Sequence, residues 1–357
     1  MRWFTRKATR AKPDSADGAH DSASGTAAQT EEPAARRRPR LGRTVLVLAP
    51  ALAGFVAGAV VFSSSVPVGH FRSADGQDEY LAAYERALDE GPAESARVTI
   101  ETEYGAVHAV RYDSADPTRA DADPLVLLPG TQSGAPMWVN NIPSLRAAGP
   151  VYVIDLLGQP GRSIQSRPIE THADDARWLA QALDQLPGHP AVMGHSLGGW
   201  LAINLAVHEP GAASRVIVLD PVMSFEDLSL PAVVRSIPAS VSWLPKSWRD
   251  DFASWTANDA PIADEPVAEM IEAGMQHFSL GTPAPSRFSD EQLQHIDAPM
   301  LAIMAGASRM HDAEQAADNA EKLLTHGVVL TYDDASHAIN GEEPERIAED
   351  VTLFLED

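Results

Sequence analysis

Six short apolar runs punctuate the C-terminal part of the chain: PLVLLPG (124–130), VYVIDLLG (151–158), PAVMG (190–194), RVIVLD (215–220), PMLAIMAG (299–306) and GVVLTYDD (327–334). None alternates apolar with polar residues, so each reads as a strand covered on both faces. Helical stretches lie between them, near 137–147, 171–186, 196–208, 312–325 and 343–356. Strands and helices in alternation predict an α/β fold, a mostly parallel sheet covered by helices on both faces. Ahead of these runs, ARVTIETEYG (96–105) and AVHAVRYDS (106–114) do alternate and meet at a glycine, as a hairpin would. GQDEYLAAYERALDEG (76–91) places Tyr80, Leu81, Tyr84 and Leu88 on one helical face. Residues 222–297 break the pattern with several prolines, Trp243, Trp248 and Trp255, and no evident strand. An insertion there would lie over the carboxyl ends of the strands as a cap.

The charge distribution is uneven. Residues 1–43 carry ten Lys/Arg and five Asp/Glu, whereas the chain from Arg72 onward carries 17 and 45. So acidic a body repels nucleic acid and anionic headgroups, which excludes nucleic acid as a partner. Residues 1–35 are poor in large apolar side chains and read as disordered. RRRPRLGR (36–43) is followed by VLVLAPALAGFVAGAVVF (45–62), a run without a charge. Its length suits a membrane-spanning helix, with the basic flank predicting a cytoplasmic N-terminus and an extracytoplasmic body. The alternative is a cleaved signal peptide and a secreted body, although no clear small-residue cleavage site follows the run. Gly54 and Gly58 in GFVAG form a small-residue pair that suits helix packing, and the oligomeric state stays open. With no cysteine in the chain, disulfides, thiolate metal sites and a cysteine nucleophile are excluded.

VMGHSLGG (192–199) joins the third apolar run to a helix and holds Ser196 between Gly194 and Gly198. G-x-S-x-G between strand and helix is a nucleophile elbow: a Cβ at either glycine would collide with backbone in so sharp a turn. A serine hydroxyl is barely ionised at neutral pH and needs a base. His337 follows the last predicted strand, above the sheet, where it can reach Ser196. His195 must point elsewhere and reads as packing or pocket lining. A tetrahedral oxyanion needs two donors. The backbone N–H groups of Leu197, at the start of its helix, and Thr131, after the Pro129–Gly130 turn, are the candidates. Trp138 and Gly130 are assigned to the substrate side, and Asp155 and Arg162 to bracing their loop. No paired His/Asp/Glu spacing, phosphate loop or dinucleotide fingerprint is found, so neither metal nor cofactor is expected.

Together these motifs resemble the α/β-hydrolases, from about residue 95 to the C-terminus. GHSLGG (194–199), DLLGQPGRS (155–163) and the late histidine carry the resemblance. TEYG (102–105) and WVNNIPSL (138–145) are similar to bacterial cap-domain esterase-like members. The resemblance implies a Ser-His-Asp triad, an acyl-enzyme and a carboxylic ester as substrate, small or lipid-like. In most of the family the acid stands after the penultimate strand, three residues past a glycine. Here Gly306 leads to Arg309 and Ala305 to Ser308, neither acidic. Asp220, at the end of the preceding strand, is the preferred replacement, and Asp312 the alternative. The expected organisation is a disordered basic tail (1–43), a transmembrane anchor (44–65), a linker and leading helix (66–94), and an α/β-hydrolase domain (95–357) with a cap at about 222–297. Two rivals stand beside the serine esterase. One is other chemistry on the same site (perhydrolase, haloperoxidase-like, amidase or C–C hydrolase). The other is a non-catalytic binding module, hinted at by the vacant acid position.

Overall fold

The computed structural model describes residues 66–261 and 265–356. The predicted tail at 1–43 and anchor at 44–65 lie outside them. Among the described residues, no helix is long and apolar enough to cross a membrane.

All six apolar runs are strands of one sheet. In chain order the strands are β1 (His70–Phe71), β2 (Ala96–Thr102), β3 (Gly105–Tyr112), β4 (Leu125–Leu128), β5 (Val151–Ile154), β6 (Ile164–Gln165), β7 (Ala191–His195), β8 (Val216–Leu219), β9 (Phe278–Ser279), β10 (Met300–Ala305) and β11 (Gly327–Tyr332). The main sheet runs β11-β10-β8-β7-β4-β5-β3-β2, with β6 beside β3. From β11 to β5 every pairing is parallel, while β3 joins β5, β2 and β6 antiparallel. The sheet is therefore mixed. Five of its six parallel strands, β4, β5, β7, β8 and β10, are fully buried, which is why they carry no polar alternation. The edge strand β11 is half-buried or exposed up to Tyr332 and not covered on both faces as expected.

After β4 the chain adds β5 on one side, then returns to place β7 on the other. The loops leaving β4 and β7 diverge there and open a crevice at the carboxyl ends, the place where open α/β sheets bind ligands. The helix Leu197–His208 fills the sheet face beneath that crevice. Gly198 to Ala206 are all buried in it, against β7, β8 and the helix His172–Leu183.

The insertion between β8 and β10 is a helical cap. Its described helices are Leu230–Arg235, Ile237–Ser240, Lys246–Thr256 and Pro266–His277, followed by the short Asp290–Gln294 that leads back to β10. Arg249, 2% exposed, donates to Glu272 Oε1 from Nε at 2.9 Å and Nη2 at 2.6 Å, and so ties two cap helices together. The insertion also contains a strand that its sequence does not announce. β9 pairs antiparallel with β1, and Phe71 meets Phe278 edge-on at 4.9 Å. Two residues are too few to show a period. The leading helix Ala74–Asp89 packs on Pro266–His277, so the segment before the sheet clasps the cap. Trp255, on the cap helix Lys246–Thr256, is buried against Val222, Ala232 and Met310, but Trp243 and Trp248 are exposed.

Candidate active site

Ser196 stands between β7 and its helix at φ 54°, ψ −115°, a conformation rare for a residue with a Cβ. The flanking glycines make this corner possible. A Cβ on Gly194 would lie 2.1 Å from Gly198 O, and one on Gly198 would lie 2.2 Å from Leu128 O. Either substitution forces backbone into backbone.

Sheet register decides which acid is close. His195 pairs with Leu219, and Ser196 N–H donates to Leu219 O at 3.0 Å, so Asp220 follows its strand beside the serine. Asp220 is also in the left-handed region, at φ 42°. His337 comes from the far edge of the sheet, and the turn after β11 carries it back over β10. There Gly306 N–H donates to Tyr332 O and Ala307 N–H to Ala335 O. His195 completes the placement by donating from Nε2 to His337 O at 2.7 Å. Its ring lies 4.9 Å from that of His337. Burial first, and the neighbouring His337 second, push the His195 imidazole down to about 3, which keeps it neutral.

The three side chains form one chain of hydrogen bonds. His337 Nδ1–H donates to Asp220 Oδ2 at 2.6 Å, and Ser196 Oγ–H donates to His337 Nε2 at 3.0 Å. All three residues are buried. Burial alone would raise the Asp220 carboxyl, but His311 and His337 outweigh it and hold the group well below the usual carboxylate range. Asp220 is thus an anion facing an imidazole that can accept the serine proton. The end of β10 and the loop after it supply anchors in place of an acid: Ser308 Oγ–H donates to Asp220 Oδ2 at 2.7 Å and Ala305 N–H to Oδ1 at 3.2 Å.

Asp312 is elsewhere. It is exposed and caps the helix Ala313–Leu323, accepting from Gln315 N–H at 3.1 Å, because a short carboxylate before a helix finds free backbone donors. Trp138 also departs from its expected place. It is fully buried at the end of a short 3₁₀ turn, Ala135–Trp138, and does not line the cavity described below. Gly130 does lie at the serine, where a Cβ would come within 3.3 Å of His195 Nδ1 and 3.6 Å of Ser196 Cβ.

Thr131 and Leu197 both face the cavity that opens on Ser196. Gln132 N–H is engaged by Gln159 Oε1 at 3.0 Å, and the N–H of Leu197 begins its helix without an intrahelical acceptor. Asp155 braces the turn behind Thr131. Its carboxylate accepts from Ala135 N–H at 2.8 Å, Arg162 N–H at 2.8 Å and Tyr84 O–H at 3.0 Å. The Arg162 side chain reaches Glu85 on the leading helix. Gln159, Ser308 and His311 had no assigned part in the sequence. The useful signal for the last two was position: like His337, they stand in a loop at a strand's carboxyl end.

The cavity has a volume of about 170 Å³ and is roofed by the cap. Val222, Leu228, Phe252, Leu280 and Met310 give it apolar walls, and among the described residues no Asp, Glu, Lys, Arg or His lines it.

A family model described as "Alpha/beta hydrolase family" matches residues 125–350. Carboxylesterase YbfK of Bacillus subtilis is 26% identical over 293 residues, covering 80% of this chain and 96% of that protein. Its solved structure superposes with a TM-score of 0.71 at 24% identity, over 79% of this chain and 99% of the other. The solved naproxen esterase of Bacillus subtilis gives a TM-score of 0.72 at 23% identity, over 80% and 99% of the two chains.

Proposed function

The chain belongs to the alpha/beta hydrolase family, and on that premise we propose that it is a serine carboxylesterase acting on uncharged esters of short acyl chains. One observation carries the reading: the continuous contact Ser196–His337–Asp220, whose serine lines an apolar cavity. Ser196 Oγ attacks the ester carbonyl as His337 Nε2 takes its proton. Asp220 holds the tautomer and stabilises the imidazolium that forms. The N–H groups of Thr131 and Leu197 receive the oxyanion, since the Gln132 amide is already engaged. His337 passes the proton to the leaving alkoxide, and water then cleaves the acyl-enzyme by the same path in reverse.

The cavity sets the substrate class. A charged acyl group would lose its hydration with no counter-charge among the described wall residues. Pockets for drug-sized ligands enclose roughly 300–1,000 Å³, more than the volume here, which favours short acyl chains. On a series of p-nitrophenyl esters, butyrate and hexanoate should exceed laurate and palmitate in kcat/KM, and a succinate half-ester should be slower than butyrate by about 100-fold. Preference for the half-ester, or turnover of amides or peracids without turnover of esters, would refute the reading.

We further propose that the chain is held at the cell membrane by 44–65, with the hydrolase domain outside. The support is the uncharged run 45–62 after the basic 36–43. Protease added to intact cells should digest the domain. A domain spared until the cells are lysed would reverse the orientation.

A further inference from the structure

We propose that His311 is a positioning residue: it grips the oxygen of Asp220 that His337 does not use, and thereby sets how strongly this carboxylate supports the His337 imidazolium. The inference rests on the esterase reading above and names a group in the site that the Ser-His-Asp relay leaves out.

His311 Nε2 lies 3.2 Å from Asp220 Oδ1, while His337 Nδ1 lies 2.6 Å from Oδ2. One carboxylate is therefore shared by two imidazoles. The His311 side chain is 1% exposed, and that of Asp220 is 0% exposed. The contact lies within ion-pair distance but outside hydrogen-bond alignment, and among the described residues neither ring nitrogen of His311 has an aligned hydrogen-bond partner. The contact with the Asp220 carboxylate is electrostatic, an attraction that a positive imidazole makes and a neutral one does not.

The charged groups facing His311 are Asp220, Glu226 and Asp312. Burial lowers its proton affinity, but these carboxylates, Asp220 foremost, raise it above the ordinary histidine value. Glu226 is itself paired with Arg287, 3.4 Å away, and Arg309 in the same loop turns outward to Asp259. Beyond the shared carboxylate stands His337. With His311 charged, part of the field of Asp220 is already satisfied, so less of it is left to stabilise an imidazolium at His337. The same loop also forms substrate wall, since Met310 lines the cavity between Ser308 and His311. The cap steadies this loop: Ser229 donates from N to Met310 O at 2.7 Å and from Oγ to Arg309 O at 2.8 Å.

The test is the pH profile of kcat/KM on the butyrate ester for the full chain, His311→Gln and His311→Lys. The acidic limb reports the free-enzyme base. Loss of the positive charge in His311→Gln should move that limb up by about 0.5 to 2 pH units, while His311→Lys should return it toward wild type. A purely structural part would lower kcat and leave the midpoint in place. An unmoved limb in a folded His311→Gln protein overturns the proposal. If the variants do not fold, nitrogen NMR of the wild-type histidine rings decides: a doubly protonated His311 at pH 7 supports it, and a neutral one overturns it. Failure of the esterase reading is separable, because a wild type that hydrolyses no ester leaves the NMR result intact.

Discussion

Ser196→Ala should lower kcat on the butyrate ester by about 10⁶-fold while leaving the fold in place. The expectation follows from what the substitution removes. Alanine keeps the Cβ that the corner at φ 54° already accommodates, so no strain is added. Only Oγ is lost, and with it the atom that would form the acyl-enzyme. The cavity and the amides of Thr131 and Leu197 remain, so residual turnover above the uncatalysed rate should persist. Thermal unfolding checks the second half of the statement: the midpoint should stay within about 2 °C of wild type. A variant that keeps one-tenth of the activity would remove Ser196 from the chemistry.

Asp220→Asn should cost about 10⁴-fold in kcat, and Asp312→Asn should leave activity within twofold. In the first variant Ala305 N–H still points at the Oδ1 position and favours the carbonyl oxygen there, which leaves the amide nitrogen at the Oδ2 position, where the Ser308 hydroxyl can turn to accept from it. The amide nitrogen is then offered to His337, whose Nδ1 becomes an acceptor and whose Nε2 carries the proton. An imidazole in that tautomer cannot take the hydrogen of Ser196. In the second variant asparagine caps the helix Ala313–Leu323 about as well as aspartate. Parallel kinetics of the two proteins separate the acids. A crippled Asp312→Asn beside a near-normal Asp220→Asn would reverse the assignment.

The parallel core was readable because burial on both faces removes polar residues from a strand, as in Val216–Leu219, whose residues are all buried. The elbow was readable because its constraint is local: Gly194 and Gly198 are demanded by backbone within a few residues or one strand away. The acid is another matter. Asp220 and Asp312 both follow strand-like runs, and only the register that sets Leu219 beside His195 puts the former at the serine. Ser308 looked like a vacancy because spacing to a glycine describes where a side chain starts, not which neighbour it supports. The pairing of His70–Phe71 with Phe278–Ser279 joins short segments from distant parts of the chain, and no local pattern foretells it. Trp138 was assigned to the substrate side, yet the 3₁₀ turn carries its indole into the interior.

Covalent labelling reads the central geometry without knowledge of the substrate. The full chain is treated with a fluorophosphonate near neutral pH, beside a known serine hydrolase in the same tube, and the adduct is located by peptide mass. One adduct on the peptide that carries Ser196, lost in His337→Ala, is the expected outcome. No adduct while the reference protein labels, or an adduct on a different residue, would contradict it.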